Sequence, residues 1–575
     1  MSNKWKSVKR RLGGLMKKLM SLLLIGCMVF ITGCGNGTLP GVGEPAQTAA
    51  KIREDLTIYE NDDPFYVHVV YLTVFPTPPG SLQRFDFGDI NADEDYLDLD
   101  DPELPVLFQE GDLEGPRVGD YGYGLTDANA TIKIRGRSTR TAAQKSYRVN
   151  LNNRLGTWLG FDKINLNKHP YDITRFRNKL AFDIIKEIDH LPSLRTKFVH
   201  VFVKDLSEGV LEADFVDYGL YTHVEPIDDD YLEGHGLDEE GQVYKAENFF
   251  FQDDKNLRLL SDNDYDEKKF ERILSIQNGG DHVELLDMVG DVNNFLLNIN
   301  TVIRENFELD NYLTWIAINI LLDNRDTNTQ NFMLYRPEDR QTFYFLPWDY
   351  DGAFDYYNQI KKYESSSVPQ WRLGLANYWS VNLHSRFFRN VENIELLNKK
   401  VDTLYYEISE MGIPDMIDSY NEAVLPYISR DPDFDNLGAT LEQREQEIER
   451  LKNILDVNLK RYYDTLERPM PIFLGDAAPL GEYSLFNWDR SYDFQGDLMK
   501  YHFELSTTPT FDTVLYEDIL NFNEVSVRGL DPGIYYWRVT VIDAKGHTQI
   551  AMDEYIDENG REHYGVGRFV LEEWR

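Results

Sequence analysis

The chain has 575 residues, 42% of them hydrophobic and 13% aromatic, and a formal charge of −39 at neutral pH. The length corresponds to roughly three to four domain-sized units, and the apolar content excludes a disordered chain. The acidity excludes nucleic-acid binding, which needs a basic surface; it describes a solvated acidic exterior suited to divalent cations or basic partners.

Lys4, Lys6, Lys9, Arg10, Arg11, Lys17 and Lys18 precede an apolar run, Leu19–Ile31, with no acidic residue among them. The run is short for a permanent membrane helix, and the pattern is that of a signal peptide. Ile31-Thr32-Gly33-Cys34 resembles a bacterial lipoprotein lipobox. That resemblance implies cleavage before Cys34, lipidation of its sulfur and an extracytoplasmic protein anchored to the cell membrane. An ordinary signal peptide or an uncleaved anchor is the alternative. Removing residues 1–33, with seven basic and no acidic side chains, leaves a chain near −46. The two cysteines are Cys27 and Cys34, so cleavage and lipidation leave no thiol for a disulfide, a thiolate zinc site or a nucleophile.

Residues 34–63 are small, polar and rich in Pro and Gly at their start, and read as a tether. Phe65–Phe75 is a β-branched and aromatic strand. The acidic insertion Asp89–Glu103 places Asp89, Asn91, Asp93, Asp95 and Asp100 at positions 1, 3, 5, 7 and 12 of an EF-hand-like loop. Glu94 stands where the sharp turn wants Gly, so the insertion reads as a solvated acidic loop rather than a calcium site. Ala130–Arg135 and Lys145–Leu151 are strands joined by the turn Gly136–Arg140. The spacing of Phe176, Leu180, Ile184 and Ile188 predicts a helix over Arg175–Ile188. Phe198–Val203, Tyr218–Val224 and Gly241–Lys245 follow as strands. Glu267–Ile276 and Asp281–Leu297 read as helices, and Tyr312–Leu322, apolar almost all round, as a buried one.

Phe332–Tyr335 and Thr342–Leu346 form a hairpin about the Pro337-Glu338-Asp339 turn. A hairpin returns the chain on itself, so Asp326 and Asn331 on one side come near Asp349 and Asp351 on the other. Oxygen donors at the end of a rigid hairpin suit a hard cation such as magnesium. Tyr356–Trp379 is polar and irregular; Leu396–Tyr406, Pro414–Pro426 and Leu441–Leu466 are helical. From about residue 474 short alternating strands follow, with Tyr535, Trp537, Val539 and Val541 on one face. Leu530–Val539 (LDPGIYYWRV) resembles a fibronectin type III domain, whose default role is spacer or binding module.

Arg325-Asp326 followed by Asn331 matches the R-D-x-x-x-x-N part of a protein-kinase catalytic loop. There the Asp orients or accepts the substrate hydroxyl proton and the Asn holds a metal. The same residues can also cap a helix and a turn. Lys145, opening an early strand, is the candidate phosphate-gripping cation, although a lone strand lysine is ordinarily a surface residue.

Together these segments resemble the spore coat protein CotH family of atypical secreted kinases. The resemblance is carried by Ile134–Arg140 (IRGRSTR) with Lys145-Ser146-Tyr147, by Arg177-Asn178 and by Tyr218-Gly219-Leu220-Tyr221 with Glu225, Ile227 and Asp228. Val243-Tyr244-Lys245, Asp323–Tyr335 and Leu346–Asp351 (LPWDYD) complete it, in family order, over about 64–470. It implies an α+β, two-lobed kinase-like domain over 64–470 that phosphorylates protein serine, or threonine, with ATP and Mg²⁺ or Mn²⁺. The fibronectin-like β-sandwich follows over 474–575. Carried over by position, Asp326 is the catalytic-loop aspartate, Asn331 and Asp349 are metal ligands and Lys145 contacts phosphate. Arg135, Arg140, Glu225 and Asp351 surround the site. The acidic body suits a basic, Ser-rich protein substrate. Three features depart from ordinary kinases: Asn324 replaces the loop histidine, Asp349-Tyr350-Asp351-Gly352 replaces D-F-G, and no G-x-G-x-x-G follows a strand. An inactive surface or spore-coat scaffold, an adhesion protein, and adenylyl transfer on the same fold are the alternatives.

Overall fold

The computed structural model describes residues 50–81, 84–92, 102–136, 138–152, 155–359 and 368–572. Helix and strand are mixed throughout, as the α+β reading expects. The expected signal segment, Cys34 and most of the acidic insertion lie outside the described residues. The start of that insertion is described: Asp89 closes a capping box with Asp86 at the head of a short helix, and the Asn91 side-chain Oδ1 accepts from Tyr147 Oη at 2.6 Å. Two of the EF-like positions are therefore engaged in local structure.

The first half of the chain closes a seven-stranded ring. Its strands are β1 (Val67–Val74), β2 (Leu104–Asp112), β3 (Ala130–Arg135), β4 (Ser146–Leu151), β5 (Lys163–Asn167), β6 (Thr196–Asp205) and β7 (Val216–Val224). They run in the order β1-β6-β7-β5-β4-β3-β2, and β2 pairs back onto β1. Only β1 and β6 are parallel neighbours in that ring. Closure removes the sheet edges, and alternate side chains point inward. Ile132, Ile134, Val149, Ile164, Leu166, Val199 and Val201 fill the interior. Strand β2 is absent from the sequence reading because Pro105 and the adjoining acidic run mask its alternation. Its alternate residues Leu104, Val106 and Phe108 are fully buried.

Helix α1 (Arg177–Ile185) is buried along its whole length. Beyond it a second sheet contains β8 (Gln242–Ala246), β9 (Leu274–Asn278), β10 (Phe332–Arg336) and β11 (Tyr344–Pro347), in the order β9-β8-β10-β11 and antiparallel throughout. The expected helix Glu267–Ile276 is corrected here. It stops after one turn at Phe270, and Leu274–Asn278 becomes an edge strand. The open backbone of β8 offers partners that a four-residue helix lacks. Asp281–Leu297 is shorter than expected, spanning Val283–Asn293; Leu296 beyond it is 95% exposed.

Helix α2 (Leu309–Leu321) packs on the β10–β11 hairpin, with Trp315 stacked on Phe345 at 4.5 Å. Asn311 fixes the register, since its Nδ2 donates to Phe345 O at 2.9 Å and its Oδ1 accepts from Phe345 N at 2.7 Å. Among the described residues a short helix, Asn382–Phe388, and four longer ones follow: α3 (Val391–Glu410), α4 (Ile413–Ile428), α5 (Leu441–Leu451) and α6 (Ile454–Leu466). The last two were expected as one helix; the chain breaks at Lys452-Asn453, where Asn453 leaves helical geometry. Among the described residues no helix is long and apolar enough to cross a membrane.

The C-terminal part has two sheets over one core. One holds β12 (Ala478–Leu480), β13 (Tyr483–Asn487) and β16 (Glu524–Arg528). The other holds β14 (Lys500–Ser506), β15 (Val514–Leu520), β17 (Gly533–Ile542), β18 (Thr548–Ile550) and β21 (Val566–Leu571). Between β18 and β21 lies a small hairpin, β19 (Glu554–Ile556) with β20 (Glu562–Tyr564). Phe486, Phe503, Val527, Trp537 and Phe569 meet in the shared core.

The end of the expected tether is not a free linker. Ile52 is buried in the core, and Glu54 accepts from His235 Nδ1 at 2.6 Å, while His235 Nε2 lies 3.0 Å from Glu225. Burial opposes a charged imidazole, but Glu225 and Glu54 outweigh it and raise His235 to about 9. Arg195 also faces Glu225, and the Tyr59 and Tyr231 rings enclose His235. A folded value above the ordinary 6.5 gives stability that is complete below about pH 6.5 and lost as pH rises through about 9. Melting temperature is therefore expected to fall between pH 7 and 9.5. His235→Gln should flatten that fall while costing on the order of 2–3 kcal/mol at pH 6; an unchanged pH slope in the variant refutes the assignment.

A second ionic cluster ties the helices together. Arg325 donates to Asp323 at 2.7 Å and to Asp355 at 2.6 Å. Asp355 also receives Arg450 at 2.9 Å and Arg461 at 3.4 Å. Arg450 pairs with Glu447, which reaches Arg177 of α1, itself paired with Asp172. Asp355→Asn leaves three guanidinium groups short of one carboxylate. Urea denaturation should register a loss on the order of 3–5 kcal/mol.

Candidate functional site

A cleft of about 650 Å³ lies where one end of the ring meets the second sheet. Its lining includes Arg135, Ser146 and Asn167 from the ring, Lys245 and Glu247 from β8 and its exit, and Asp326, Asn331, Trp348, Asp349 and Asp351 from the loops around the hairpin. The hairpin register explains the last group. Phe332 pairs with Pro347, so Asn331 and Trp348-Asp349 leave the same end of the ladder. Met333 pairs with Lys245 on the other side, which brings the lysine to that end too.

Asp326 sits in a one-turn 3₁₀ helix, Arg325–Thr327, directly after α2. Asn458 Nδ2 satisfies the Leu321 carbonyl at 2.9 Å, one of the acceptors a helix end leaves open. Asn377 Nδ2 donates to Arg325 O at 2.8 Å, and Thr327 shares a hydrogen bond with Tyr378. Within the segment 356–379, expected to be polar and irregular, Leu375, Ala376 and Tyr378 form a buried buttress. Asn324 Nδ2 donates to Asp349 O at 3.1 Å and couples the two arms. Gly352 approaches closely: a Cβ there would lie 3.3 Å from Asp326 Oδ2.

The electrostatics are those of a buried anionic centre facing cations. Burial, and then the like charge of Asp351, push the Asp349 carboxyl up to about 7; His169, Lys245 and Arg135 pull the other way. Burial also raises Asp326, against a hydrogen bond donated by Tyr357 Oη to its Oδ1 at 2.6 Å. Arg135 is lowered to about 9 by burial and by Arg148. Its guanidinium donates to Asn167 Oδ1, and among the described residues it has no ion-pair partner. His169 lies 3.4 Å from Asp351 and 3.3 Å from Asn178 of α1, whose Oδ1 accepts from Tyr350 N. Lys245 pairs with Glu247 at 2.7 Å.

The residues fit a hard cation with an anionic ligand. The donors are carboxylate and amide oxygens with no sulfur among them, and Asp349 with Asp351 forms a like-charge pair that a dication relieves. Arg135 and Lys245 face them from the ring and from β8, positions from which phosphate oxygens could be held.

Of the residues singled out in the sequence, Asp326, Asn331, Asp349, Asp351 and Arg135 come together in this cleft. Three do not line it. Lys145 Nζ donates to the Arg140 carbonyl, and Arg140 Nε to Gly136 O at 2.8 Å, so both serve the β3–β4 turn. Glu225 is buried with Arg195 and His235. Its neighbour Val224 lines the cleft, and successive residues of an extended chain face opposite sides. Lys245, His169, Asn178 and Tyr357 carried no assigned role in the sequence reading. Lys245 stood within Val243-Tyr244-Lys245, and the signal that could have found it was the antiparallel register of β8 with β10.

Comparison with known proteins covers this region. A family model described as CotH kinase protein matches residues 132–461, a span containing every residue of the cleft named above. Inner spore coat protein H of Bacillus subtilis (strain 168) is 28% identical over 227 residues, which are 39% of this chain and 58% of that relative. The chain therefore spans less than two thirds of the length of the curated relative it matches.

Proposed function

The chain belongs to the CotH kinase protein family, and on that premise we propose that it is an extracytoplasmic, lipid-anchored protein kinase that transfers the γ-phosphate of ATP to serine or threonine. The observation that carries this reading is the convergence of Asp326, Asn331 and Asp349 on one cleft that Arg135 and Lys245 also line. The reading takes the ring with α1 as one lobe and the helices α2–α6 as the other. It takes the C-terminal sheets as a fibronectin-like spacer or binding module, and Cys34 as the lipid attachment. A surface location agrees with the spore-coat relative.

In the proposed reaction the serine Oγ–P bond forms as the bond from Pγ to the β-phosphate oxygen breaks, and ADP leaves. Asp326 orients the acceptor hydroxyl and takes its proton; its burial raises its basicity toward that task. Asn331 and Asp349 would hold the divalent ion, with Asp351 beside them. The ion, when bound, neutralises charge on the phosphates. Arg135 and Lys245 grip phosphate, a role that moves from Lys145 to the lysine in the cleft. Tyr357 Oη, 2.6 Å from Asp326, stands where an acceptor hydroxyl would bind and must swing aside for substrate.

The test is incubation of the soluble protein from residue 35 with ATP, Mg²⁺ or Mn²⁺ and a basic, Ser-rich protein. Label from γ-labelled ATP should appear on serine, vanish in Asp349→Ala and fall about 10²–10⁴-fold in Asp326→Asn. Lys245→Ala should lower transfer far more than Lys145→Ala. Label from the α-phosphate instead would assign adenylyl transfer. No label and no nucleotide-induced thermal shift would leave the scaffold reading.

Gly352→Ala probes the geometry separately. The added methyl forces Asp326 aside by a few tenths of an ångström, so transfer should drop by about 10-fold or more while the melting temperature stays close to that of the parent.

A further inference from the structure

A second cluster of carboxylates lies far along the chain from the cleft residues, in the C-terminal sheets. Asp493, Asp497 and Asp543 each bring one carboxylate oxygen within 4.8 Å of the others. Asp493 and Asp543 are each 6% exposed. They come from two turns: Asp493–Asp497 precedes β14, and Asp543 opens the turn from β17 to β18.

The two buried carboxylates are used unequally. Asp543 Oδ1 accepts from the backbone N–H groups of Lys545 and His547 at 2.9 and 2.8 Å, and Oδ2 accepts from His547 Nδ1 at 2.7 Å. Asp493 Oδ1 accepts from Gln495 N and Asp497 N, both at 2.9 Å. Asp493 Oδ2 is buried with no hydrogen-bond partner. Asp497 Oδ2 likewise has none, although Lys545 Nζ lies 3.4 Å away. Lys545 is a poor explanation for the cluster: its ammonium is shared with Glu467 at 3.2 Å and its side chain is 45% exposed. Buried carboxylate oxygen without a donor is costly, and nearby like charges add to that cost.

We infer that Asp493, Asp497 and Asp543 form a calcium site that fastens the C-terminal sheets to the end of α6. The donors are all hard oxygens, held on irregular turns, and calcium tolerates irregular coordination better than magnesium, which demands near-ideal octahedral geometry. The site lies beside the junction. Gln495 Nε2 donates to Leu466 O at 3.1 Å, and Lys545 reaches Glu467. An ion joining the two turns makes the β14 and β17–β18 ends of one sheet rigid where they meet α6.

The experiment uses the detergent-solubilised full-length protein carrying Asp349→Ala, so that the cleft does not contribute a divalent site. After EDTA treatment, calorimetric titration with CaCl₂ should show one site, and calcium should raise the melting temperature. Asp497→Asn makes no hydrogen bond worse and should weaken calcium binding at least 10-fold. In EDTA the same variant should melt at or above its parent, because it removes repulsion. Lys545→Met should keep calcium binding. Equal calcium binding with and without Asp497→Asn overturns the assignment. So does a lower melting temperature of Asp497→Asn in EDTA, which a merely structural Lys545 ion pair predicts. Magnesium binding as tight as calcium overturns the choice of ion.

Discussion

The buried pairing of Arg325 with Asp323 and Asp355 is the constraint on which the cleft depends. Arg325 precedes Asp326, so whatever fixes its guanidinium fixes the backbone that presents the candidate catalytic carboxylate. Asp355 lies beyond Asp349 and Asp351 and receives Arg450 and Arg461 from α5 and α6. Through Glu447 the chain of charges continues to Arg177 at the start of α1. One helix end, one hairpin arm and two helices distant in sequence are thus held in one arrangement. An apolar core alone would fix them less specifically, because hydrophobic contacts carry little directional information. Buried ion pairs add little net stability, but breaking one is expensive, so this network limits the alternatives open to the loop.

The cleft brings cations into an otherwise acidic protein. The chain is strongly acidic, yet Arg135 and Lys245 line one cleft with Asp326, Asp349 and Asp351. A free nucleotide would be repelled by the exterior, whereas its complex with a dication carries less charge and meets both signs inside. A basic peptide would be drawn to the exterior itself. In the proposed reaction the acidity that would discourage the nucleotide would favour a basic substrate, and Arg135 and Lys245 would compensate locally.

Much of this arrangement was legible in the sequence because it follows from local rules. A two-strand hairpin with a Pro-Glu-Asp turn must return Asp349 toward Asn331, and the pairing of Phe332 with Pro347 does so. The buried helix before the loop was legible from its unbroken apolar run. What escaped depends on long-range pairing. Lys145 is the candidate phosphate-gripping cation in the sequence, whereas the β8–β10 register is what brings Lys245 to the cleft. Glu225 stands one step of alternation from Val224, which lines the cleft. The helix expected over Glu267–Ile276 gives way to the edge strand Leu274–Asn278 because its partner β8 lies some thirty residues earlier in the chain. Ring closure through β2 could not be read from a strand whose pattern Pro105 interrupts.

Backbone conformation around the cleft adds to the same constraint. Asp323, Asn331, Asp349, Phe354 and Asp355 all have positive φ, between 51 and 58°, as does His169 at 47°. Side-chain-bearing residues rarely adopt this region, and each costs on the order of 1–2 kcal/mol. Five such residues within one short stretch would destabilise an isolated hairpin. They persist because the surroundings over-determine them: Asp323 and Asp355 are clamped by Arg325 and Arg461, Asn331 N donates to Ala246 O at 3.2 Å, and Asp349 O accepts from Asn324. Left-handed geometry turns Asn331 and Asp349 sharply out of the ends of β10 and β11, toward the cleft rather than along the ladder. The ionic network and the strained turns are therefore parts of one device, in which charge pairing at Asp323 and Asp355 holds the backbone that aims the oxygen donors between them.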